Sequence, residues 1–376
     1  VAKVLTFALA AERPVAIITS RIAARDRISI VVYGGLCLSW MIMKISWFAT
    51  GIEEGRLEGF RSDRASTRFR CLIPARAIQA MGHQVNIFQS DALTDPYLLS
   101  DDDFGDPVVF IKSFVPIDEI LAERARRLDR LVVYDYCDLD FLEPGLMEHR
   151  RNMTELAHRC VATAPYLAAA VAEALNVETP TVISDPYEGP GGVPHFSPRD
   201  GDLRLLWFGH VNNLQDLFDQ VVALADFGRE FPLSLNVFSQ PVNGIDNAFS
   251  RTNEKFSGRL ALRHTPWSLE GTWRALAECD LVIIPSADNE KKMAKSPNRV
   301  VESIHNGRFV VANPVDVYWE YSDFILLDTD IVSGLRWAMN HRVEIEDRIR
   351  RGQDYVDSRH SPEAIGCDWI KLLQED

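Results

Sequence analysis

The sequence predicts an α/β protein of two doubly wound domains, and three observations carry that expectation. Short apolar runs alternate with helical patterns along the chain, the signature of βαβ units and a parallel sheet. Several of these runs, such as 281–285 (LVIIP) and 309–312 (FVVA), are continuously apolar, as strands covered on both faces must be. The alternation breaks at 184–202 (SDPYEGPGGVPHFSPRDGD), a stretch dense in proline and glycine, and restarts after it. A chain of 376 residues has the length of roughly two such domains.

In chain order, the first sheet strand is expected at 44–50 (KISWFAT), followed by a glycine- and arginine-rich loop to Ser66. A helix at about 67–81 and a strand at 84–89 come next, then strands at 107–112 and 131–136 with helices at 117–128 and 150–158. A strand near 160–162, a helix at 165–175 and a strand at 181–183 complete the first domain. Beyond the break, strands fall at 203–208, 233–239, 260–264, 281–285, 308–312 and 325–327, with helices between them. A last helix spans about 362–373, with Trp369, Leu372 and Leu373 spaced three and four apart as an apolar stripe. The expected boundaries are 1–42 as an N-terminal extension, 43–185 as the first domain, 186–202 as a linker, 203–355 as the second domain and 356–376 as the C-terminal helix. Ligand is expected outside the carboxyl ends of the strands, where open α/β sheets bind it at switch points.

The extension contains a charge-free run, 28–43, between Arg27 and Lys44. At about 1.5 Å per residue this would reach about 24 Å as a helix, short of a hydrocarbon core of about 30 Å. A dispensable extension is the favoured reading over a membrane anchor.

Composition narrows the function classes. With 47 % hydrophobic and 25 % charged residues, disorder, collagen and coiled coil are excluded. Forty Lys plus Arg against 54 Asp plus Glu give a net charge of −14, which argues against nucleic acid as a partner. The balance is uneven, because residues 1–80 hold 12 basic against 6 acidic side chains. That basic start hints at anionic ligands or lipid headgroups. Six scattered cysteines with no C-x-x-C pair suit a reduced, cytoplasmic chain without a zinc site. There is no G-x-S-x-G, P-loop or G-x-G-x-x-G, which weakens hydrolase, NTPase and dinucleotide-oxidoreductase readings.

The most informative stretch is Lys295-Ser296-Pro297-Asn298-Arg299-Val300-Val301-Glu302, followed by Ser303-Ile304-His305-Asn306-Gly307. Ser296 suits an N-cap, Pro297 the first helical position and Gly307 the stop. A helix start of this kind is an anion site, to which Lys295 and Arg299 add two cations. Asn298 and Glu302, four apart, share a helix face. The pattern could hold a pyrophosphate at the helix start and a ribose diol on the carboxylate one turn later; a well-capped surface helix with solvated charges explains the spacing equally well.

Lys295 to Glu302, Gly307 and the strand 308–314 (RFVVANP) together resemble the donor domain of two-domain (GT-B) glycosyltransferases, in particular the bacterial class related to retaining family four. Other fragments fall in the same order. Ser66-Thr67-Arg68-Phe69-Arg70 with Pro74 and Gly82-His83 resembles the first helix and second strand of the N-terminal domain. Val133 to Asp138 resembles a later strand end, Thr163-Ala164-Pro165-Tyr166-Leu167 the "S-T-P-Y-L" turn, and Leu206 to His210 the opening strand of the donor domain. The resemblance implies two Rossmann-like domains facing a cleft, the first for acceptor and the second for a nucleotide-diphosphate sugar, with the last helix crossing back to the N-terminal domain. It implies a retaining, hexosyltransferase-like enzyme of surface polysaccharide biosynthesis that acts on a glycan or lipid-linked acceptor. Such an enzyme needs no cofactor and sits in the cytoplasm, peripherally at the inner face of the membrane if membrane-associated at all.

Carried over residue by residue, the resemblance implies Glu302 as ribose ligand and Lys295, Ser296, Asn298 and Arg299 as phosphate or sugar contacts; Gly209 and His210 fall where the family places donor contacts, and the two-domain architecture puts Arg68, Arg70, Asp135 and Asp138 at the acceptor or cleft. Two features depart from the family. The first glutamate of its paired motif is Ala294 here, and the Arg and Lys that clamp the diphosphate after the opening strand are replaced in Gly209-His210-Val211-Asn212-Asn213. No catalytic residue is therefore carried over.

Asp138-Leu139-Asp140 matches the Asp-x-Asp pattern of metal-dependent transferases, but the two-domain class works without metal and none is expected. Arg56, Arg61, Arg64, Arg68 and Arg70 crowd the first loop and helix, either as a solvated basic face or as contacts to phosphate. His210 and His264 each follow a strand, where a lone histidine is usually structural. Rival functions are a nucleotide-sugar epimerase of the same fold, which would release epimerised sugar from donor alone, and a noncatalytic nucleotide-sugar or glycan binder.

Overall fold

The alternating runs form two six-stranded sheets in which every strand pair is parallel, each with helices packed on it. The structure is a computed structural model and describes residues 28–33, 36–55, 59–143, 145–198 and 202–375. It divides into two units, 1–186 with 362–376, and 187–361.

Ahead of the first sheet, β1 (Ile28–Tyr33) and β2 (Leu36–Met41) pair antiparallel with each other as a sheet of their own. The charge-free run is thus a strand pair, consistent with its Val, Ile, Tyr and Trp content. No helix among the described residues is long and apolar enough to cross a membrane. The expected membrane-anchor alternative thus finds no support there, and residues 1–27 lie outside the described residues. A chain beginning at Met43 is expected to fold and to bind nucleotide as the full chain does, measured by circular dichroism and titration. Loss of either would make the strand pair part of the fold.

The first unit continues with β3 (Lys44–Ala49), a short hairpin of β4 (Glu53–Gly55) and β5 (Gly59–Arg61), then β6 (Gln84–Gln89), β7 (Val108–Ile111), β8 (Val132–Tyr136), β9 (Arg159–Ala162) and β10 (Thr181–Val182). The sheet order is β10-β9-β8-β7-β3-β6. The chain leaves β3 for β6 on one side and returns to β7 on the other, so the switch point lies between β3 and β7. Residues 65–80 form one continuous helical run with a π-turn at Arg68–Leu72. The periodic pattern does not predict that extra residue in the turn, and π-turns are frequent at functional sites.

The last helix, Pro362–Gln374, belongs to this unit and buries Ile365, Trp369, Ile370, Leu372 and Leu373. It lies close against the helix Ile73–Ala80. A Cβ on Gly366 would sit 3.0 Å from that of Ala77, so the small residue sets the approach. Trp369 meets Trp47 edge-on, ring centroids 5.4 Å apart, a geometry that the ring quadrupoles favour.

The second unit orders its strands β13-β12-β11-β14-β15-β16, with β11 (Leu203–Phe208), β12 (Leu233–Ser239), β13 (Leu260–Pro266), β14 (Leu281–Ile284), β15 (Phe309–Ala312) and β16 (Leu326–Leu327). Its switch point lies between β11 and β14. The segment expected as a linker is largely built into this unit. Tyr187 N–H donates to His360 O (2.9 Å), Gly192 N–H to His305 O (3.0 Å) and His195 N–H to Gly307 O (3.1 Å), and Phe196 is buried in the core. Its glycines serve close packing rather than flexibility. A Cβ on Gly192 would lie 2.1 Å from Asn306 O.

Candidate functional site

The helix Asn298–His305 follows the β14 strand end and inserts Val300, Val301 and Ile304 into the core beneath the sheet. Gly307, at φ 71°, stops it in the left-handed region where only glycine is unstrained, as the sequence predicts. The start is one residue later than expected. Pro297 occupies the cap position, and Ser296 Oγ accepts from the Asn298 N–H at 3.3 Å.

Around this start the loops at the carboxyl ends of the strands are tied together. Asn313 Oδ1 accepts from Ser286 N–H (3.0 Å), and Asn313 Nδ2 donates to Asp328 O (3.0 Å). Lys292 Nζ bridges Asn213 Oδ1 and Asp216 Oδ2 at 2.5 Å each. His210 Nδ1 accepts from Asn212 N–H at 3.2 Å and caps its own turn, while His264 Nε2 lies 3.1 Å from Ser239 Oγ. Both histidines are accounted for by local structure.

Arg299 is the exception to this saturation. Its Nη1 is buried and finds no hydrogen-bond partner among the described residues. It lies beside Gly209, where an added Cβ would be 3.6 Å away. A buried cationic donor without a partner is costly, so a site that keeps one is poised for an acceptor from outside. Gly209, Ser296, Asn298 and Arg299 therefore gather at the β11/β14 switch point, with Lys295 exposed next to them.

Glu302 differs from the surface position expected for it. It is 6 % exposed, and its Oε1 accepts from the Glu188 N–H at 2.7 Å. The segment 187–192 lies across the helix, with Tyr187 stacked on His305 at 3.6 Å between centroids. Nothing in the local sequence signals Glu188 as a partner. Its role depends on a strap reaching back 114 positions.

In the first unit the expected acceptor residues separate. Arg70 and Asp135, at 1 % and 0 % exposure, form a bidentate pair inside the unit (2.9 and 2.8 Å) and are an interior clamp, not ligand contacts. Arg68 is also buried and donates from Nη1 to Ser62 O at 3.1 Å. Asp138 is ion-paired with Lys112 Nζ, and Asp140 lies 3.0 Å from Arg150 Nη2, so the Asp-x-Asp carboxylates each face a cation. Among the described residues no group of acidic, His or Cys side chains is arranged to hold a metal.

Sequence reading missed a polar chain behind β7. Ser113 Oγ lies 2.8 Å from His149 Nε2, and His149 Nδ1 is bonded to Glu119. The order resembles a nucleophile relay, but Ser113 has no exposed surface, so the chain ties the loop in place. Beside it burial pushes the Asp118 carboxyl up to about 6, against the opposing pull of nearby polar groups and the Arg150 charge. An acid with a raised folded-state pKa holds its proton more tightly when folded, so its contribution to stability falls as pH rises from about 4 to 6 and is then flat. The stability difference between Asp118→Asn and the native chain should accordingly grow in favour of the variant from pH 4 to 7, by at most about 3 kcal/mol in urea titrations. A difference independent of pH would contradict it.

No protein-family model and no curated protein sequence matches the chain. Solved structures do. The Anabaena protein Alr3699/HepE, crystallised with UDP and glucose, superposes with a TM-score of 0.60 at 14 % identity, covering 88 % of this chain and 99 % of that one. A glycosyltransferase from Rickettsia africae gives 0.61 at 9 % identity over 89 % and 98 %. AviGT4, a glycosyltransferase involved in avilamycin A biosynthesis, gives 0.54 at 12 % over 88 % and 97 %. The fold is that of these proteins, two Rossmann-like units of the GT-B class.

Proposed function

We propose that the chain is a glycosyltransferase that moves a sugar from a nucleotide-diphosphate donor to a glycan or lipid-linked acceptor in surface polysaccharide assembly. The second unit holds the donor, and the observation that carries this reading is the unpartnered, buried Nη1 of Arg299 beside Gly209 at the β11/β14 switch point. A diphosphate oxygen is the acceptor such a donor lacks, and the amides at the start of Asn298–His305 add the positive end of the helix dipole. Lys295, Ser296 and Asn298 contribute further contacts to phosphate or sugar, His210 borders them, and Glu302 receives the ribose. UDP in the Anabaena protein supports the nucleotide class. Catalysis on this reading is positioning of both substrates plus stabilisation of the departing diphosphate by Arg299, Lys295 and the helix amides. The retaining outcome, the hexosyl donor, the bacterial origin and the place at the inner membrane face rest on the family resemblance alone, while the cytoplasmic location rests also on the scattered, unpaired cysteines.

The test supplies UDP-glucose with and without a panel of glycan acceptors and follows UDP release. Acceptor-dependent release supports transfer. Epimerised sugar formed from donor alone assigns the chain to the epimerase class, and UDP binding without release under any acceptor makes it a binder.

A further inference from the structure

The second unit has a cavity at the amino end of its sheet, away from Arg299 and the carboxyl ends of the strands. It measures about 420 Å³, lies where Arg308 leads into β15, and is lined by Pro190, Val193, His195, Trp273, Asn306 and Arg308 among others. We infer that this cavity binds a small aromatic monocarboxylate, its ring against Trp273 and its carboxylate at Arg308. All of these residues belong to the second unit, and the inference does not depend on the transferase reading.

One wall of the cavity is the strap, which the rest of the unit holds in place. Gln353 Nε2 donates to Gly192 O at 2.7 Å. Gly189, at φ 89°, runs so close to Trp273 that a Cβ there would lie 2.3 Å from the indole Nε1. Val193 O accepts from Arg308 Nη1 at 3.0 Å, and a Cβ on Gly307 would come within 2.3 Å of the same oxygen. The strap, the helix Leu269–Glu278 that carries Trp273 and the helix end at Asn306 thus form one fixed concave surface.

Charge decides the class of ligand. Arg308 is 6 % exposed, and backbone carbonyls take its hydrogen bonds: Nε donates to Leu276 O (2.7 Å), Nη1 also to Gly307 O (2.9 Å) and Nη2 to Ala277 O (2.7 Å). Carbonyl dipoles satisfy the donors without cancelling the charge. Asp280, the carboxylate whose charge reaches Arg308, is itself committed to Arg204 through Nε at 3.0 Å and Nη2 at 2.6 Å. Among the described residues no acidic side chain lines the cavity. Burial accordingly holds the Arg308 guanidinium below the usual arginine range, as it does a buried cation short of a counterion. One uncompensated positive charge calls for one negative charge, which a carboxylate supplies and a phosphate dianion exceeds.

Trp273 and the strap supply the apolar part. The indole is only half-buried, and Val193 turns its carbonyl onto Arg308 while its side chain stands 79 % exposed at the rim. A fixed indole, an apolar rim and a few polar groups, His195 and Asn306 beside Arg308, make up the composition of a small-ligand site. A carboxylate as small as acetate would meet the charge and leave the indole bare, whereas a flat ring bearing the carboxylate covers both.

The test is saturation-transfer NMR on the full chain, with and without saturating UDP. The probes are 2-naphthoate and indole-3-carboxylate, their uncharged amides, acetate and phenyl phosphate. At least one aryl carboxylate should receive saturation and bind about tenfold or more tightly than its amide and than acetate. Ala277 is exposed on the cavity wall, so substitutions there leave the core intact. Ala277→Glu supplies the missing carboxylate from the chain itself and should weaken aryl carboxylate binding by about tenfold or more, while Ala277→Gln, of nearly the same size, should bind as the native chain does. UDP should leave this binding unchanged, because the helix Asn298–His305, about 12 Å long, separates the cavity from the helix start. The inference is overturned if no aryl carboxylate binds, if the amide or acetate binds as tightly, if phenyl phosphate binds more tightly, if the two Ala277 variants bind alike, or if UDP displaces the carboxylate.

Discussion

Asp135→Ala is expected to destabilise the first unit by about 3–5 kcal/mol, because it strands a buried guanidinium. Arg70 lies inside the unit with Nε and Nη2 on Asp135 and Nη1 on Ile183 O (2.6 Å) and Asp185 (3.2 Å). Burial alone would depress the Arg70 pKa, but the facing Asp135 carboxylate more than offsets it, so the side chain stays charged. The clamp joins the π-turn to the end of β8 and to the chain beyond β10, and its guanidinium also rests 5.4 Å from the Trp369 ring. The double substitution Arg70→Met/Asp135→Leu should recover most of the loss, since it removes both charges together. Urea denaturation of the three chains checks this. A single variant as stable as the native chain would contradict the clamp.

Glu302 is expected to show two separable losses. In Glu302→Ala the half-buried Glu188 N–H loses its acceptor, which costs about 1 kcal/mol of stability. The same variant should bind UDP roughly ten- to a hundredfold more weakly if the carboxylate holds the ribose. Glu302→Gln keeps an oxygen for Glu188, so its melting temperature should stay near native while UDP affinity still falls about tenfold. Native UDP affinity in Glu302→Gln would reduce Glu302 to a structural tie between the strap and the helix.

The strands were legible because parallel sheets covered on both faces demand continuous apolar runs. The expected strands 281–285 and 308–312 meet β14 and β15 to within one residue for that reason. The strap was illegible, since proline and glycine mark both linkers and close backbone packing, and only tertiary placement separates the two. Burial of Glu302 follows from that same strap, so a helix-face reading left it on the surface. Arg70 and Asp135 sit 65 positions apart, and nothing local distinguishes a clamped interior arginine from its solvated neighbours. At the donor side the helix start was legible from Ser296, Pro297 and Gly307, whereas the orphaned state of Arg299 is a property of packing.

Isothermal titration of UDP and of uridine into the native chain and Arg299→Ala tests the donor site most directly. Loss of a charge-assisted bond to the diphosphate should weaken UDP by about tenfold or more and leave uridine unchanged. Equal UDP affinity in the two chains would contradict a donor site at the start of this helix and leave the transferase reading on fold alone.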